Sequence, residues 1–204
     1  NMDKSLKKIH HDQYKISDIK YSKYLDKDCT SKKKEFISDK SKEAAINIKN
    51  IAYIGIYYNQ NPLIYVTTPV MVCLFGMDNK SKQMSLQFKD YQTDSTMNAF
   101  FSFIQNIEIN NMQNIGITDE KDSDKYSPQI RYDKHNKYDP NLLVKVPFSN
   151  NRYEVDVFSD EHDSINIYNL NNFTKMQCDI YIDKIWKYNE IYYCKWKARK
   201  IYLV

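Results

Sequence analysis

Near the C-terminus, Tyr193, Lys195, Lys197 and Arg199 alternate with Tyr192, Cys194, Trp196 and Ala198. In a pleated strand this spacing puts a ring and three cations on one face and the second set on the other. Cations beside aromatic rings suit a polyanion that also carries flat bases, which is the requirement for single-stranded nucleic acid. Lys and Arg track phosphates, and each ring takes a base for about 1–3 kcal/mol whatever its identity. The candidate cations along the chain are Arg131, Lys145, Arg152, Lys195, Lys197, Arg199 and Lys200, and the candidate stackers are Tyr57, Tyr132, Trp186 and Tyr193. Trp196 shares a face with Cys194 and Ala198 and is assigned to the core. The competing reading makes these the solvated face of an ordinary barrel, with Trp186 and Trp196 in the core.

Other chemistries find less support. His10, His11, His135 and His162 stand in polar contexts without metal-ligand spacing. Asp160-Glu161-His162-Asp163 could hold a cation but reads more simply as a solvated acidic turn. Three glycines leave no phosphate-cradling loop, and no nucleophile-elbow pattern is present. A non-enzymatic protein with no cofactor and no metal is expected. Cys29, Cys73, Cys178 and Cys194 lie far apart, which points to a reducing compartment rather than a disulfide framework. No apolar run approaches the roughly 20 residues that span a bilayer, and no signal-peptide pattern appears. The expectation is a soluble intracellular protein without membrane contact.

The elements that must position these side chains are mostly strands. Ile51 to Tyr58 and Leu63 to Thr68 flank the turn Asn59-Gln60-Asn61-Pro62 and read as a hairpin. Val70–Phe75, Met84–Phe88, Gln129–Asp133, Leu142–Phe148, Arg152–Phe158 and Ile165–Tyr168 supply further strands, with a short turn at Ser149-Asn150-Asn151. Cys178–Trp186 and Ile191–Tyr202 close the chain as a two-stranded ribbon around Asn189. One helix stands out. Asp94 or Ser95 caps it, and Met97, Phe100, Ile104 and Ile107 recur at helical spacing. The fold class is mainly β: an OB-type β-barrel with inserted strands and one or two helices, forming a single domain over residues 1–204.

Charge is segregated within a net of +4. Residues 1–50 hold 13 lysines against 8 acids, residues 119–163 hold 7 basic residues against 11 acids, and residues 164–204 hold 7 against 3. A folded chain can therefore present a basic face. Residues 1–50 read as a basic N-terminal extension or as edge strands; a possible strand runs through Ile46-Asn47-Ile48.

The run from Gly55 to Met77, with Thr68-Pro69-Val70-Met71 and Phe75-Gly76, resembles a segment of the single-stranded DNA-binding proteins of nucleocytoplasmic large DNA viruses. Ser85-Leu86-Gln87-Phe88, Tyr126–Arg131, and the Ile185-Trp186 … Trp196-Lys197 ribbon add to the likeness, which covers about residues 50–204. The resemblance implies an OB-type barrel that binds displaced single strands during viral DNA replication or recombination. Its implied partners are single-stranded DNA and viral replication proteins in the host cytoplasm. The alternative from the residues themselves is a β-rich module that docks a viral or host protein, since Tyr is also enriched at protein interfaces. A duplex-DNA binder ranks third, because the one clear helix carries no Lys or Arg.

Overall fold

The computed structural model describes residues 6–23, 25–26, 52–160 and 166–204. Its strands are β1 (Ile19–Tyr21), β2 (Leu25–Asp26), β3 (Ala52–Tyr58), β4 (Ile64–Thr67), β5 (Met71–Cys73) and β6 (Gln83–Gln87). After helix α1 (Ser95–Asn114) come β7 (Tyr126–Ser127), β8 (Ile130–Arg131), β9 (Asn141–Lys145), β10 (Phe148–Ser149), β11 (Arg152–Tyr153) and β12 (Asp156–Phe158). The chain continues through β13 (Thr174–Ile182), β14 (Lys184–Tyr188), β15 (Ile191–Tyr193) and β16 (Trp196–Leu203).

Five of these strands close a barrel of OB type: β5 pairs with β6, β6 with β9, β9 with β16, β16 with β13, and β13 with β5. Within this ring only β9 and β16 run parallel. The closure follows from strict alternation. Met84, Leu86, Leu142, Val144, Met176, Cys178, Ile180, Trp196 and Ala198 all point inward and are buried, so a one-residue slip would turn a strand's apolar set to water. β4 and β5 are two halves of the first barrel strand, separated at Pro69, and both lie along β13. The break is bridged by Thr68, whose N–H donates to the Cys178 carbonyl at 2.8 Å and whose hydroxyl accepts from the Cys178 N–H at 3.0 Å.

Helix α1 plugs one end of the barrel. The Asp94 carboxylate caps it by accepting from the Met97 N–H at 3.1 Å. Its buried face includes Phe100, Phe101, Phe103, Ile104 and Ile107, with Phe103 6.3 Å from the Trp196 ring and Phe101 edge-on to Phe88 at 5.1 Å. His11, expected in a polar setting, is buried against Phe100 and Phe103, and that burial lowers its pKa.

The expected 51–68 hairpin does not form as a ladder. One bridge joins Tyr58 to Asn61, where Asn59 takes a left-handed φ of 53°, and the strands then part. β4 pairs with β13, while β3 pairs with β14. Consecutive strands of the C-terminal ribbon take the place of the local partner: β13 brings buried Met176, Cys178, Ile180 and Ile182, and β14 brings buried Ile185. β3 thereby founds a second sheet in the order β1-β3-β14-β15-β7. The N-terminal segment straps this assembly: the Lys8 ammonium lies 3.1 Å from Asp179, and the Tyr14 hydroxyl bonds both the N–H and the carbonyl of Tyr65. The expected strand at 46–48 and Cys29 lie outside the described residues. So does Ile165, and the rest of the expected 165–168 strand enters a short 3-10 turn, Ile167–Asn169.

Candidate nucleic-acid interface

On the second sheet, register aligns three rings on one face. Trp186 of β14 lies directly opposite Tyr53 of β3 on one side and Tyr193 of β15 on the other. The opposite face carries Ile54, Ile185 and Tyr126, all buried, so the row Tyr53–Trp186–Tyr193 is directed outward and half-exposed. The Tyr53 and Trp186 centroids are 5.4 Å apart, close to the spacing of neighbouring strands. Lys184 stands over both rings, 5.4 Å from Tyr53 and 5.9 Å from Trp186, and Lys195 lies 5.7 Å from Tyr193.

The barrel adds a second row across four strands. Tyr65, Tyr181, Lys197 and Lys145 are successive cross-strand neighbours on β4, β13, β16 and β9, with Tyr65 buried at the inner end of the row and the other three half-exposed. Lys195 sits where the two rows meet. Its pKa is lowered, first by burial and then by the charges of Lys145, Arg131 and Lys197. Four cations thus crowd one patch and repel one another. A phosphate placed there would relieve that repulsion.

A groove of about 1330 Å³ opens beside this patch, lined by Tyr53, Gly55, Tyr57, Tyr181, Lys184 and Arg199 among others. Gly55 forms its floor. A Cβ there would sit 3.0 Å from the Tyr57 ring and 3.2 Å from the Ser22 hydroxyl, so the missing side chain lets Tyr57 lie back along β3. Arg199 is the extra residue of a bulge, since Ile180 pairs with Ala198 while Asp179 pairs with Lys200. The bulge aims its guanidinium at Tyr65, 5.5 Å from the ring. The groove also carries Glu154, Asp156 and Asp183. The Asp183 carboxylate lies 3.5 Å from both Lys184 and Lys197. Burial, then the Asp183 charge, pushes the Tyr181 hydroxyl up to about 12.

The structure therefore gathers most of the residues singled out from the sequence. Tyr57, Arg152 and Arg199 line the groove, Trp186 and Tyr193 belong to the aromatic row, and Arg131, Lys145, Lys195 and Lys197 form the cationic patch. Two fall elsewhere. Tyr132 is exposed in a separate depression with Tyr91 and Tyr138. Lys200 is level with Asp156 and Asp179 on its neighbouring strands, so acids face its charge. Sequence reasoning missed Tyr53, Tyr181, Lys184 and Asp183. The alternation of Tyr53, Gly55 and Tyr57 on one strand face was the available signal for the first of these.

Among the described residues, no three His, Cys, Asp or Glu side chains come together to hold a metal ion, and no helix is long and apolar enough to cross a membrane. Burial pushes the Cys178 and Cys194 thiols well up and the Cys73 thiol up, which suits packing groups. Comparison with protein-family models and with curated proteins gives no match.

Proposed function

We propose that the protein binds single-stranded DNA without catalysing a reaction, in a largely sequence-independent way, and serves viral DNA replication or recombination. The observation that carries this reading is the outward row Tyr53–Trp186–Tyr193 set against the patch of Arg131, Lys145, Lys195 and Lys197. Three rings one strand-spacing apart offer platforms for successive unpaired bases, while the adjacent cations take the phosphates. A duplex hides the faces of its bases, so it gains only the phosphate part. Held this way, a strand is kept from pairing with itself.

Binding has a built-in reporter. The protein has two tryptophans, and Trp196 is 1% exposed in the barrel core, so quenching by an added base reports Trp186. Titration with an oligothymidylate should quench tryptophan fluorescence, a duplex of equal length should not, and affinity should fall steeply with salt. Absence of binding to oligothymidylate at low salt would sink the reading.

One observation favours a protein-docking module as the second reading. Phe75 and Phe173 are 68% and 69% exposed, and the Phe173 N–H donates to the Leu74 carbonyl at 3.3 Å, which brings the two loops together. Retained oligothymidylate binding after Phe75→Ser and Phe173→Ser would separate that surface from the nucleic-acid face.

A further inference from the structure

The groove and the cationic patch share aromatic walls but not their charge balance. The patch has four crowded cations. In the groove, Arg152, Lys184 and Arg199 are matched by Glu154, Asp156 and Asp183. The formal charges of the lining cancel, so a phosphate entering the groove gains less than one at the patch. A base meets rings for its faces and carboxylates for its edge.

Resting on the single-strand reading above, we infer that this groove is a base-reading slot in which Asp183 selects guanine at one position of the bound strand. Tyr53 belongs to both the aromatic row and the groove, so a strand stacked on the row continues into the slot. The opening has room for one nucleoside or more, and Tyr57, lying back over Gly55, gives it a further aromatic wall.

The three carboxylates are not equivalent. Glu154 already accepts from the Ser149 hydroxyl. Asp156 is level with Lys200, on the outer flank of β16. Among the described residues, Asp183 has two long partners, at 3.5 Å, and it is partly exposed. A carboxylate offers about four lone-pair sites, so Asp183 retains acceptors for an incoming edge. Guanine presents two adjacent N–H donors, from its ring nitrogen and its amino group, and a carboxylate takes both at once. Adenine and cytosine each present an amino group beside a ring acceptor. Thymine turns two carbonyl oxygens toward the carboxylate around a single N–H. The expected order is therefore guanine first, adenine and cytosine between, and thymine last. Sequence-tolerant stacking on the row coexists with one selective position.

The test is competition anisotropy with a labelled oligothymidylate displaced by short oligothymidylates carrying one central dG, dA or dC. The dG strand should compete roughly tenfold better than the all-thymidine strand, the range expected for a bidentate edge contact. Asp183→Asn should erase that difference, read as the ratio of dG-strand to all-thymidine competition within the same variant so that any change in overall affinity from releasing Lys184 and Lys197 cancels, and Tyr181→Leu should weaken it through the slot wall. Equal competition by all strands, with oligothymidylate binding intact, would overturn the slot and spare the single-strand reading. A dG preference that persists in Asp183→Asn would overturn the role of Asp183. Loss of oligothymidylate binding in the unaltered protein overturns both readings. If Asp183→Asn fails to fold, the base series on the unaltered protein decides alone.

Discussion

The outer face of the second sheet and the groove beside it are built from the same materials. Both present tyrosines within cation–π distance of Lys or Arg, and Tyr53 and Lys184 serve both. They differ in how closely acids match the cations. At Lys195 the neighbours are Lys145, Arg131 and Lys197, of which Lys197 also reaches Asp183 at 3.5 Å, whereas three carboxylates share the depression of the three groove cations. The contrast shows that ring content alone does not assign a surface. Charge balance decides whether aromatic walls serve a strand's backbone or the edge of a base.

The comparison breaks most visibly at Glu108. This carboxyl is buried on α1 and accepts the N–H groups of Gln129 and Ile130, at 2.6 and 3.2 Å, holding the segment that carries Arg131. Burial raises its pKa from 4.5 to about 7, against the opposing pull of those N–H donors and the Arg131 charge. The folded protein therefore holds this proton more tightly than the unfolded chain. Stability from this group is fully present below pH 4.5 and is lost as pH rises toward about 7, by about 3 kcal/mol in all. Urea midpoints at mildly acidic and mildly alkaline pH should show this decline, and Glu108→Gln should flatten it. The patch, which depends on Arg131, should feel the change before the groove does.

Next in size is the joint change of Lys145, Lys195 and Lys197 to Ala. Removing three phosphate contacts should make the log–log salt slope of oligothymidylate binding shallower by about 2, so that the variant falls about a hundredfold further behind the unaltered protein for each tenfold fall in salt. The dG preference should survive it. An unchanged slope would mean that the phosphates run elsewhere. Trp186→Ala should cost about 1–3 kcal/mol of binding and remove the fluorescence response. A quench that persists would imply that Trp196 is not sealed in the core. The smallest effect is expected from Gly55→Ala. Its Cβ crowds Tyr57, so thermal melting should show a loss of about 1 kcal/mol, with a weaker dG preference and little change in oligothymidylate affinity.

Much of this layout was legible from the sequence where alternation is local. The burial of Cys194, Trp196 and Ala198 follows their parity, and Tyr193, Lys195, Lys197 and Arg199 emerge on the other side. The cap at Asp94 and the paired left-handed residues Asn150 and Asn151 also follow from residue type. Non-local choices were not legible. No pattern within residues 51–68 says that β3 and β4 will separate to follow β14 and β13, because the decision rests with partners more than a hundred residues away. Lys200 shows the limit of counting: the bulge at Arg199 shifts the register, and parity beyond it no longer predicts the face. Tyr132 differs for a related reason: β8 ends at Arg131, one residue before it, so strand parity does not reach this ring.

Closure of the ring by β16 against β9 also sets a schedule. Cys73 must find Thr174, and Lys145 must find Lys197, before either edge is covered. Contacts so distant along the chain place refolding in roughly the millisecond-to-second range, which stopped-flow dilution from urea would measure. On the ribosome, β5, β6 and β9 emerge first as a meander whose β5 edge is bare and whose β9 edge is covered only by the two residues of β8, a form open to chaperones and to aberrant pairing. The strand that ends this exposure is the one that carries Lys197 and Arg199. A half-made chain thus has neither a sealed barrel nor a working grip, and competence to hold a strand arrives together with escape from misassembly.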